Sequence, residues 1–508
     1  MHYYDHAPEF DNVYVISDLH MGGDDVDFQI FNQGNTLAAL IDYFAEDEPE
    51  KRKALVINGD TVDFLAEKPF SYFDAPGAIT KLERIINDES FNMVFESLQK
   101  FVAKKNRVLA ITLGNHDLEL ALPWVQEYLL NYLTKKKVAN RGRIRLCFDG
   151  TGFSCTVNGR RILCHHGNEV DMWNVTDYEA LRRYGRDEMQ GSPPREWAPN
   201  AGTQIVIDIM NEIKRKRPFV DLLKPEIEAV LPVLIALDPK LSLEIPKFGK
   251  PLAKKFWDGL RKKKGFLSAD DMFDNASMEF EDTAVEAEFQ SLIRETFGTD
   301  AELVDEVEIV RNKVERDLIE RSDPRFEAGS EADELLLFEG IGEGIGAVRD
   351  HVRGFGKKIE PRELLRRALV KLHNDQMFNA DVPDTLSDDM RAMIGSKVDV
   401  LVTGHTHQRK ALERSGDYYF NSGTWVRLIE LTKERLEKGK FATVYDGLDA
   451  PTLTKLDKAT DHNGNSIVRS RPCFIRISAH SSGLVNVGPE FSGEEDLTAD
   501  ITFEWGAQ

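Results

Sequence analysis

The sequence lacks any apolar run long enough to cross a lipid bilayer. Its longest clean run, Val230–Leu237, falls far short of the roughly 20 residues that a spanning helix needs. The opening residues, MHYYDHAPEF, hold neither the basic stretch nor the apolar stretch of a secretory signal. We therefore expect a cytoplasmic protein.

Cysteine is scarce, and positive charge is in deficit. The four cysteines show no CxxC spacing, which disfavours a thiolate metal site and favours reduced thiols in a core.

Asp and Glu number 87 against 65 Lys and Arg, a formal net charge of −22. Because a field of that sign repels the phosphates of DNA and RNA, nucleic acid is disfavoured as a general partner.

The first 170 residues or so alternate between two kinds of segment. Short β-branched or apolar runs at Asn12–Ser17, Ala54–Asn58 and Arg107–Leu113 each end at a polar turn. Between them, Thr36–Phe44 and Phe91–Lys104 carry apolar residues at helical spacing. This rhythm predicts an α/β fold with a largely parallel sheet and functional loops at the carboxyl ends of its strands.

The rhythm then changes twice. Gly152–Cys164 predicts a hairpin that turns at Asn158-Gly159, a dipeptide that accepts positive φ angles. From about Arg186 to Ala380 the strand pattern disappears, and apolar residues step by three and four, as in Leu303–Leu318 and Leu365–Leu372. Strand patterns return at Val398–Thr403, Tyr418–Asn421, Cys473–Ser478, Leu484–Val487 and Ile501–Glu504. We therefore predict one core domain from residues 1–185 and 381–508, with a mainly helical insertion at 186–380.

Five polar blocks follow strand-like segments and contain six of the 12 histidines. In chain order they are Asp18-Leu19-His20, Gly59-Asp60-Thr61-Val62-Asp63, Gly114-Asn115-His116-Asp117, His165-His166-Gly167 and Gly404-His405-Thr406-His407. Each block alone could be an ordinary polar turn. All five in order, each after an apolar strand, instead indicate a metal site. Oxygen and imidazole donors without thiolate suit Mn, Fe, Zn or a mixed pair better than a structural zinc.

The order D-x-H, G-D-x-x-D, G-N-H-D, H-G, G-H-T-H resembles the signature of the calcineurin-like metallophosphoesterase superfamily. The motifs span Asp18 to His407 and say nothing about the helical middle. The resemblance implies a four-layer α/β/β/α sandwich with two metal ions at the strand ends. It places Asp18, His20, Asp60 and His407 on one ion, and Asp60, Asn115, His166 and His405 on the other. Asp60 would then bridge the two ions.

The resemblance also implies an activity. The expected function is hydrolysis of a phosphomonoester or phosphodiester, with a metal-bridging hydroxide as the nucleophile and manganese as the favoured metal. His116 would stabilise the transition state or protonate the leaving oxygen, and Asp117 would orient His116. His165 stays open as the ligand in place of His166, and Asp63 is expected to accept a hydrogen bond rather than bind metal.

Two alternatives accompany this hypothesis. The layout also resembles the UDP-2,3-diacylglucosamine hydrolases, which act on a lipid pyrophosphate and carry a helical lid, although His116 stands where they typically have arginine. The other alternative is a metallophosphoesterase fold that serves as a binding scaffold. We expect residues 186–380 to form a cap over the site, and the basic stretch Lys247–Lys264 is a candidate contact with a membrane surface.

Overall fold

The computed structural model describes residues 3–171, 174–194, 197, 200, 202–203, 206–223, 233, 361–372, 378–395, 397–414 and 416–505. The predicted helical segment Leu303–Leu318 and the basic stretch Lys247–Lys264 lie outside these residues. The chain forms two compact units, one of residues 1–226, 374–432 and 446–508 and the other of residues 227–373 and 433–445. Residues 186–226 of the predicted insertion thus belong to the first unit, and the cap stays a prediction.

The strands form two main sheets and a short ribbon. They are β1 (Asn12–Ile16), β2 (Lys53–Asn58), β3 (Arg107–Thr112), β4 (Ile144–Cys147), β5 (Phe153–Val157), β6 (Arg160–Cys164), β7 (Val400–Thr403), β8 (Lys410–Arg414), β9 (Asp417–Asn421), β10 (Leu428–Ile429), β11 (Val468–Arg469), β12 (Cys473–Ser478), β13 (Ser481–Val487) and β14 (Leu497–Glu504). One sheet has the order β14-β13-β12-β1-β2-β3-β4, and the other has the order β5-β6-β7-β9-β8.

Strand direction differs along the first sheet. Strands β1 to β4 pair in parallel, as predicted, and each is followed by a loop at the same edge. Strands β12 to β14 continue this sheet in antiparallel register beside β1. In the second sheet β6, β7 and β9 are parallel. The predicted hairpin joins β5 to β6, with Asn158 at φ 48° and Gly159 at φ 75°.

Among the described residues, five helices lie between β1 and β4 in the sequence, and the others follow β6 or later strands. They are α1 (Gly34–Glu46), α2 (Ala78–Asn87), α3 (Asn92–Ala103), α4 (Pro123–Leu133), α5 (Val138–Arg141), α6 (Tyr178–Met189), α7 (Asn211–Lys216), α8 (Pro361–Leu372), α9 (Thr385–Met393), α10 (Phe441–Leu448) and α11 (Leu453–Leu456). The predicted helical spacing at Leu365–Leu372 is confirmed by α8, in which Leu365, Ala368 and Leu369 are buried.

Apolar side chains divide the first unit into four layers. Alternate residues of the two sheets, such as Val13 and Val15 on one and Ile162 and Val402 on the other, meet in one buried cluster. On the outer face of the first sheet, the ring of Tyr14 stacks 4.0 Å from that of Phe44 in α1. On the outer face of the second sheet, Leu386 and Met390 of α9 pack against Leu401, Leu412 and Tyr419. The predicted α/β/β/α sandwich is therefore confirmed.

No helix among the described residues combines the length and the apolar character that a membrane span requires.

Candidate metal centre

The five polar blocks lie at the carboxyl ends of five strands. Strands β1, β2 and β3 are followed by the D-x-H, G-D-x-x-D and G-N-H-D blocks, and β6 and β7 by the H-H-G and G-H-T-H blocks. The two sheets meet there, because the backbone N–H of His405 donates to Asp18 Oδ1 at 3.0 Å and to Oδ2 at 3.1 Å. The parallel register thus brings residues almost 400 positions apart to one edge of the sandwich.

Five of the seven predicted metal ligands have left-handed backbone conformations. Their φ angles are 53° at Asp18, 46° at His20, 51° at Asp60, 69° at His405 and 59° at His407. Such angles are uncommon outside glycine and cost of order 1–3 kcal/mol each, so the surrounding structure must enforce them. The first two turns are held together by the carbonyl of Asp60, which accepts the backbone N–H groups of Leu19 and His20 at 2.9 Å. Strain concentrated in this way is typical of functional loops.

One group of donors contains Asp18, His20 and His407, all buried. The Nε2 atoms of the two imidazoles lie 3.0 Å apart. His407 Nε2 is 3.3 Å from Asp18 Oδ1, and His20 Nε2 is 3.5 Å from Asp60 Oδ2. Imidazole nitrogens and carboxylate oxygens that converge on one small volume suit a divalent transition metal.

A second group contains Asp18, Asp60 and His166. The ring of His166 is fixed by Nδ1, which lies 2.8 Å from the carbonyl oxygen of Asn58 and must donate to it. In the neutral ring Nε2 then carries the lone pair, and this buried atom lies 3.2 Å from Asp60 Oδ2. A buried acceptor beside carboxylates is costly unless a cation occupies the space between them. The residues thus fit a metal ion. Asp18 belongs to both groups, and Asp60 Oδ2 also lies 3.5 Å from His20 Nε2 of the first group.

The remaining two predicted ligands lie beside the second group. The rings of His166 and His405 are 5.4 Å apart, and His405 Nδ1 is 3.1 Å from Asn115 Oδ1. The structure therefore brings all seven predicted ligand residues into one buried cluster. Their role as ligands stays a prediction.

The neighbouring His165 turns away from this cluster. Its Nδ1 lies 2.8 Å from Glu169 Oε2, and its Nε2 lies 2.9 Å from the carbonyl oxygen of Gly150. Burial alone would raise the pKa of Glu169, but the adjacent His165 lowers it to about 2. Of the two histidines that the sequence left open, His166 is the one placed among the donors.

A third group joins His20, Asp63 and His116. Asp63 Oδ1 lies 3.3 Å from His116 Nδ1, and Asp63 Oδ2 lies 3.6 Å from His20 Nδ1. Burial by itself would raise the pKa of Asp63, but His116 and His20 hold it well below its usual range. The Asp63 carboxylate is therefore ionised and contacts both the predicted ligand His20 and the predicted catalytic His116.

Asp117, which the sequence predicts to orient His116, is placed differently. Its two carboxylate oxygens accept the backbone N–H groups of Gly114 and Thr61, both at 2.7 Å. Burial and the nearby charge of Asp60 raise the pKa of Asp117 to about 8. Asp117 thus tethers the G-N-H-D loop to the loop after β2, whereas the carboxylate beside His116 Nδ1 is that of Asp63. The orienting role of Asp117 stays a prediction.

The carboxylates of the predicted ligands Asp18 and Asp60 stay ionised although both are buried. Burial would raise the pKa of Asp60, but His166, His20 and His116 hold it well below its usual range. The pKa of Asp18 is lowered in the same way by His407 and His166. The turn at residues 421–424 supports this region, since Thr424 Oγ1 donates to the carbonyl oxygen of Asp18 at 2.8 Å.

Sequence reasoning missed two polar residues beside the second group, Asp171 and Asn174. Asp171 Oδ2 lies 2.8 Å from His405 Nε2, and Asn174 Oδ1 accepts from Asn115 Nδ2 at 3.3 Å. The available signal was their position in the short loop that follows the H-H-G block, at the carboxyl end of β6.

Comparison with known proteins agrees with the geometry. Residues 12–222 match the model of a family described as calcineurin-like phosphoesterase. Over these residues, which are less than half of the chain, the sequence is similar to that family. The G-H-T-H block lies outside the matched range, so its place in the site comes from the structure. No curated protein matches the chain.

The solved structures that resemble the chain include two of Vps29. Vacuolar protein sorting 29 from Cryptosporidium parvum is 18% identical, with 26% of this chain and 49% of that chain covered and a TM-score of 0.13. A single mutant of Vps29 from Entamoeba histolytica is 15% identical, with coverages of 27% and 53% and a TM-score of 0.13. The chain thus spans about half the length of each of these structures.

Proposed function

We propose that this protein is a dinuclear metal-dependent hydrolase of phosphomonoesters or phosphodiesters. The observation that carries the proposal is the position of Asp60, whose Oδ2 lies 3.5 Å from His20 Nε2 and 3.2 Å from His166 Nε2. One carboxylate therefore stands between two sets of imidazole donors. This is the arrangement that a shared ligand of two cations requires, because two close cations need an anion between them.

The donor set divides into two. Asp18, His20, Asp60 and His407 would hold one cation, and Asp60, Asn115, His166 and His405 would hold the other. Such a pair, with manganese favoured and iron, zinc or a mixed pair as alternatives, supplies an activated water and neutralises charge on the phosphoryl group. The two ligand carboxylates carry less negative charge than two divalent ions carry positive charge, so the loaded site would attract a phosphate.

A residue of the chain itself can supply the proton that the leaving oxygen of the ester needs. His116 is partly exposed, with 18% of its side chain accessible, whereas the ligand side chains are almost completely buried. The ionised Asp63 carboxylate beside Nδ1 stabilises a positive imidazole. His116 can therefore protonate the leaving oxygen or stabilise negative charge on the phosphoryl group.

The experiment is a substrate panel run with purified protein and added Mn²⁺. The panel contains an aryl phosphomonoester, an aryl phosphodiester, a nucleotide pyrophosphate and UDP-diacylglucosamine, and metal content per chain is measured in the same preparation. Two ions per chain together with turnover of an ester support the proposal. Two bound ions without turnover of any substrate would favour the binding scaffold instead.

A further inference from the structure

A chain of hydrogen bonds runs from His405 to Asn115 through the loop after β6. His405 Nε2 lies 2.8 Å from Asp171 Oδ2, and the same oxygen accepts Asn174 Nδ2 at 2.7 Å. Asn174 Oδ1 in turn accepts Asn115 Nδ2 at 3.3 Å. Asn115 and Asn174 are each only 3% exposed, and the Asp171 side chain is 25% exposed. The four side chains thus form a connected, largely buried network.

The chemistry of these groups fixes the direction of every bond. An ionised carboxylate only accepts, so His405 must donate from Nε2 and Asn174 must donate its amide NH₂ to Asp171. The amide oxygen of Asn174 then faces Asn115 and accepts a hydrogen bond from the NH₂ group of Asn115. As a result, Asn115 presents Oδ1 and the neutral His405 ring presents the lone pair of Nδ1.

These two acceptors face each other at 3.1 Å. Two lone pairs at this distance repel unless a cation lies between them or the ring carries a second proton. Both atoms belong to the residues expected to bind the second metal ion. The network therefore directs the metal-binding atoms of these two residues toward one point.

The loop that carries the network is itself anchored. The carbonyl oxygen of Asn174 accepts Nδ2 of the fully buried Asn168 at 2.9 Å and Nδ2 of Asn200 at 3.4 Å. Because the backbone of Asn174 is held by these two side chains, its amide group has a fixed origin from which to orient its two partners.

We propose that Asp171 and Asn174 are positioning residues for the second metal ion, an inference that rests on the proposed dinuclear function. Asp171 selects the tautomer of His405 whose Nδ1 lone pair can bind metal, and Asn174 sets the orientation of the Asn115 amide. Neither residue needs to contact the metal ion. Residues that orient metal ligands in this way typically change metal affinity about 10- to 100-fold when they are replaced.

The test measures metal binding, not only turnover. Wild type, Asp171→Ala, Asp171→Asn and Asn174→Ala are equilibrated at a series of free Mn²⁺ concentrations, and bound manganese per chain is determined by mass spectrometry. Asp171→Ala is expected to bind the first ion normally and the second about 10- to 100-fold more weakly. Asp171→Asn should recover part of this loss, because its Oδ1 can still accept from His405. Asn174→Ala should weaken the second ion as well.

The matched control is Asp177→Asn. The Asp177 side chain caps α6 by accepting the backbone N–H of Ala180 at 2.9 Å, and asparagine caps helices equally well. This variant should bind both ions as wild type does. The melting temperature of each metal-free variant is measured alongside, so that a general loss of stability can be distinguished from a loss of affinity for the second ion.

Three outcomes would overturn the inference. One is wild-type affinity for both ions in Asp171→Ala and Asn174→Ala. Another is equal loss of both ions with a lower melting temperature of the metal-free protein, which would make the loop a structural support only. A wild-type protein that never binds a second ion would instead defeat the dinuclear function itself and remove the basis of the inference.

Discussion

Asp60 is the residue on which both donor sets depend, because its carboxylate is shared between His20 and His166. Replacing it with alanine removes the anion that would separate two cations, so Asp60→Ala should release both metal ions and abolish turnover. Metal content per chain and hydrolysis of an aryl phosphodiester provide the measurement. A single ion per chain in active, metal-saturated wild type would contradict the shared-ligand assignment.

His116 should behave differently, because it contributes to the reaction rather than to metal binding. His116→Ala is expected to lower kcat by about 10²–10⁴-fold while both ions stay bound. The loss should be smaller for esters with good leaving groups, which need less protonation. Equal losses for good and poor leaving groups would indicate charge stabilisation instead of acid catalysis. Loss of metal from this variant would make His116 a ligand.

The partner of His116 can be tested in parallel. Asp63→Asn removes the charge beside His116 Nδ1, whereas Asp117→Asn changes a carboxylate that accepts only backbone N–H groups in this loop. If Asp63 orients His116, the variant Asp63→Asn should shift the pH profile of kcat, and adding His116→Ala to it should cost little more. Additive losses in the double variant would show that the two residues act independently.

Glu119 gives a prediction for stability as a function of pH. Burial raises the pKa of Glu119 from 4.5 to about 7, although the backbone N–H of Asp74 and the charge of Lys81 oppose the shift. The folded protein therefore holds this proton more tightly than the unfolded chain. That contribution to stability is complete below about pH 4.5 and is lost as the pH rises through about 7.

Glu119→Gln should remove this pH dependence. Relative to wild type, the variant should gain stability at pH 8, by about 3 kcal/mol at most, and gain least at pH 4.5. Denaturant unfolding at the two pH values measures the difference. Glu96→Gln, at an exposed position of α3, is the control and should change stability equally at both. A Glu119→Gln variant that parallels wild type across this range would contradict the prediction.

The sequence predicts well which residues lie in the site where a motif contains them. It predicts poorly the contacts between residues that are far apart in the chain. His166 could be separated from His165 by the glycine that follows it. The prediction for Asp117 rests on its adjacency to His116 in the sequence, whereas Asp63, whose carboxylate lies 3.3 Å from His116 Nδ1, follows another strand. The contact of Asp171 with His405 could not be predicted, since it spans 234 positions and follows from strand register.

At the scale of elements, glycine allows two turns of the site to approach each other more closely than a residue with a side chain would. A Cβ added at Gly59, where φ is 84°, would lie 2.2 Å from Nδ1 of His166. At Gly464, where φ is 80°, an added Cβ would meet nothing within 4 Å. The two positions share the unfavourable backbone angle and differ in the collision, so they form a matched pair.

Gly464→Ala should therefore cost only the backbone strain, roughly 1–2 kcal/mol, and leave metal binding unchanged. Gly59→Ala should cost more and should also displace His166 from the donor cluster, which lowers the number of bound ions. Unfolding free energies and metal content of both variants test this. Equal stability losses with full metal content in both would show that the approach of the two loops is not needed for the site.

Element types were predictable where one physical pattern dominated. The buried strands β1, β2 and β3 are continuous apolar runs, and the hairpin of β5 and β6 follows from the two residues that accept positive φ. The antiparallel addition of β12 beside β1 was not predictable, because alternating apolar residues indicate a strand and a buried face but not its neighbour. That neighbour is set by packing across the whole sandwich.

At the scale of the molecule, the first compact unit contains all the predicted site residues and also residues 186–226. These residues contact the core: Asn211 Nδ2 donates to the carbonyl oxygen of Leu65 at 3.2 Å, and the guanidinium of Arg215 lies 4.6 Å from the ring centre of Phe28. Helical periodicity predicted a mainly helical insertion, and among its described residues α8 agrees with that prediction. It could not predict which segments belong to the core, since amphipathic spacing does not specify what an apolar face contacts.

The cap hypothesis is best tested by a deletion that spares these contacts. Replacing residues 227–360 with a short Gly/Ser linker keeps residues 186–226 and also α8, whose Arg366 donates to the carbonyl oxygen of Leu436 at 3.0 Å. If the deleted segment closes over the site, it adds binding energy remote from phosphorus, which matters most for large substrates. Hydrolysis of small aryl phosphates should then be spared, while kcat/KM for the largest active substrate of the panel should fall sharply.

The rival hypothesis is that the segment serves as a contact between subunits or with another protein. In that case the deletion would change the molecular mass in solution and leave the ratio of kcat/KM for large and small substrates unchanged. Light scattering and the activity ratio, measured on the same preparation, separate the two hypotheses. In the sequence the predicted insertion begins shortly after His166 and ends shortly before His405, so covering the site would need little additional chain entropy. We therefore expect the ratio of kcat/KM to change and the mass per particle to fall only by the deleted residues.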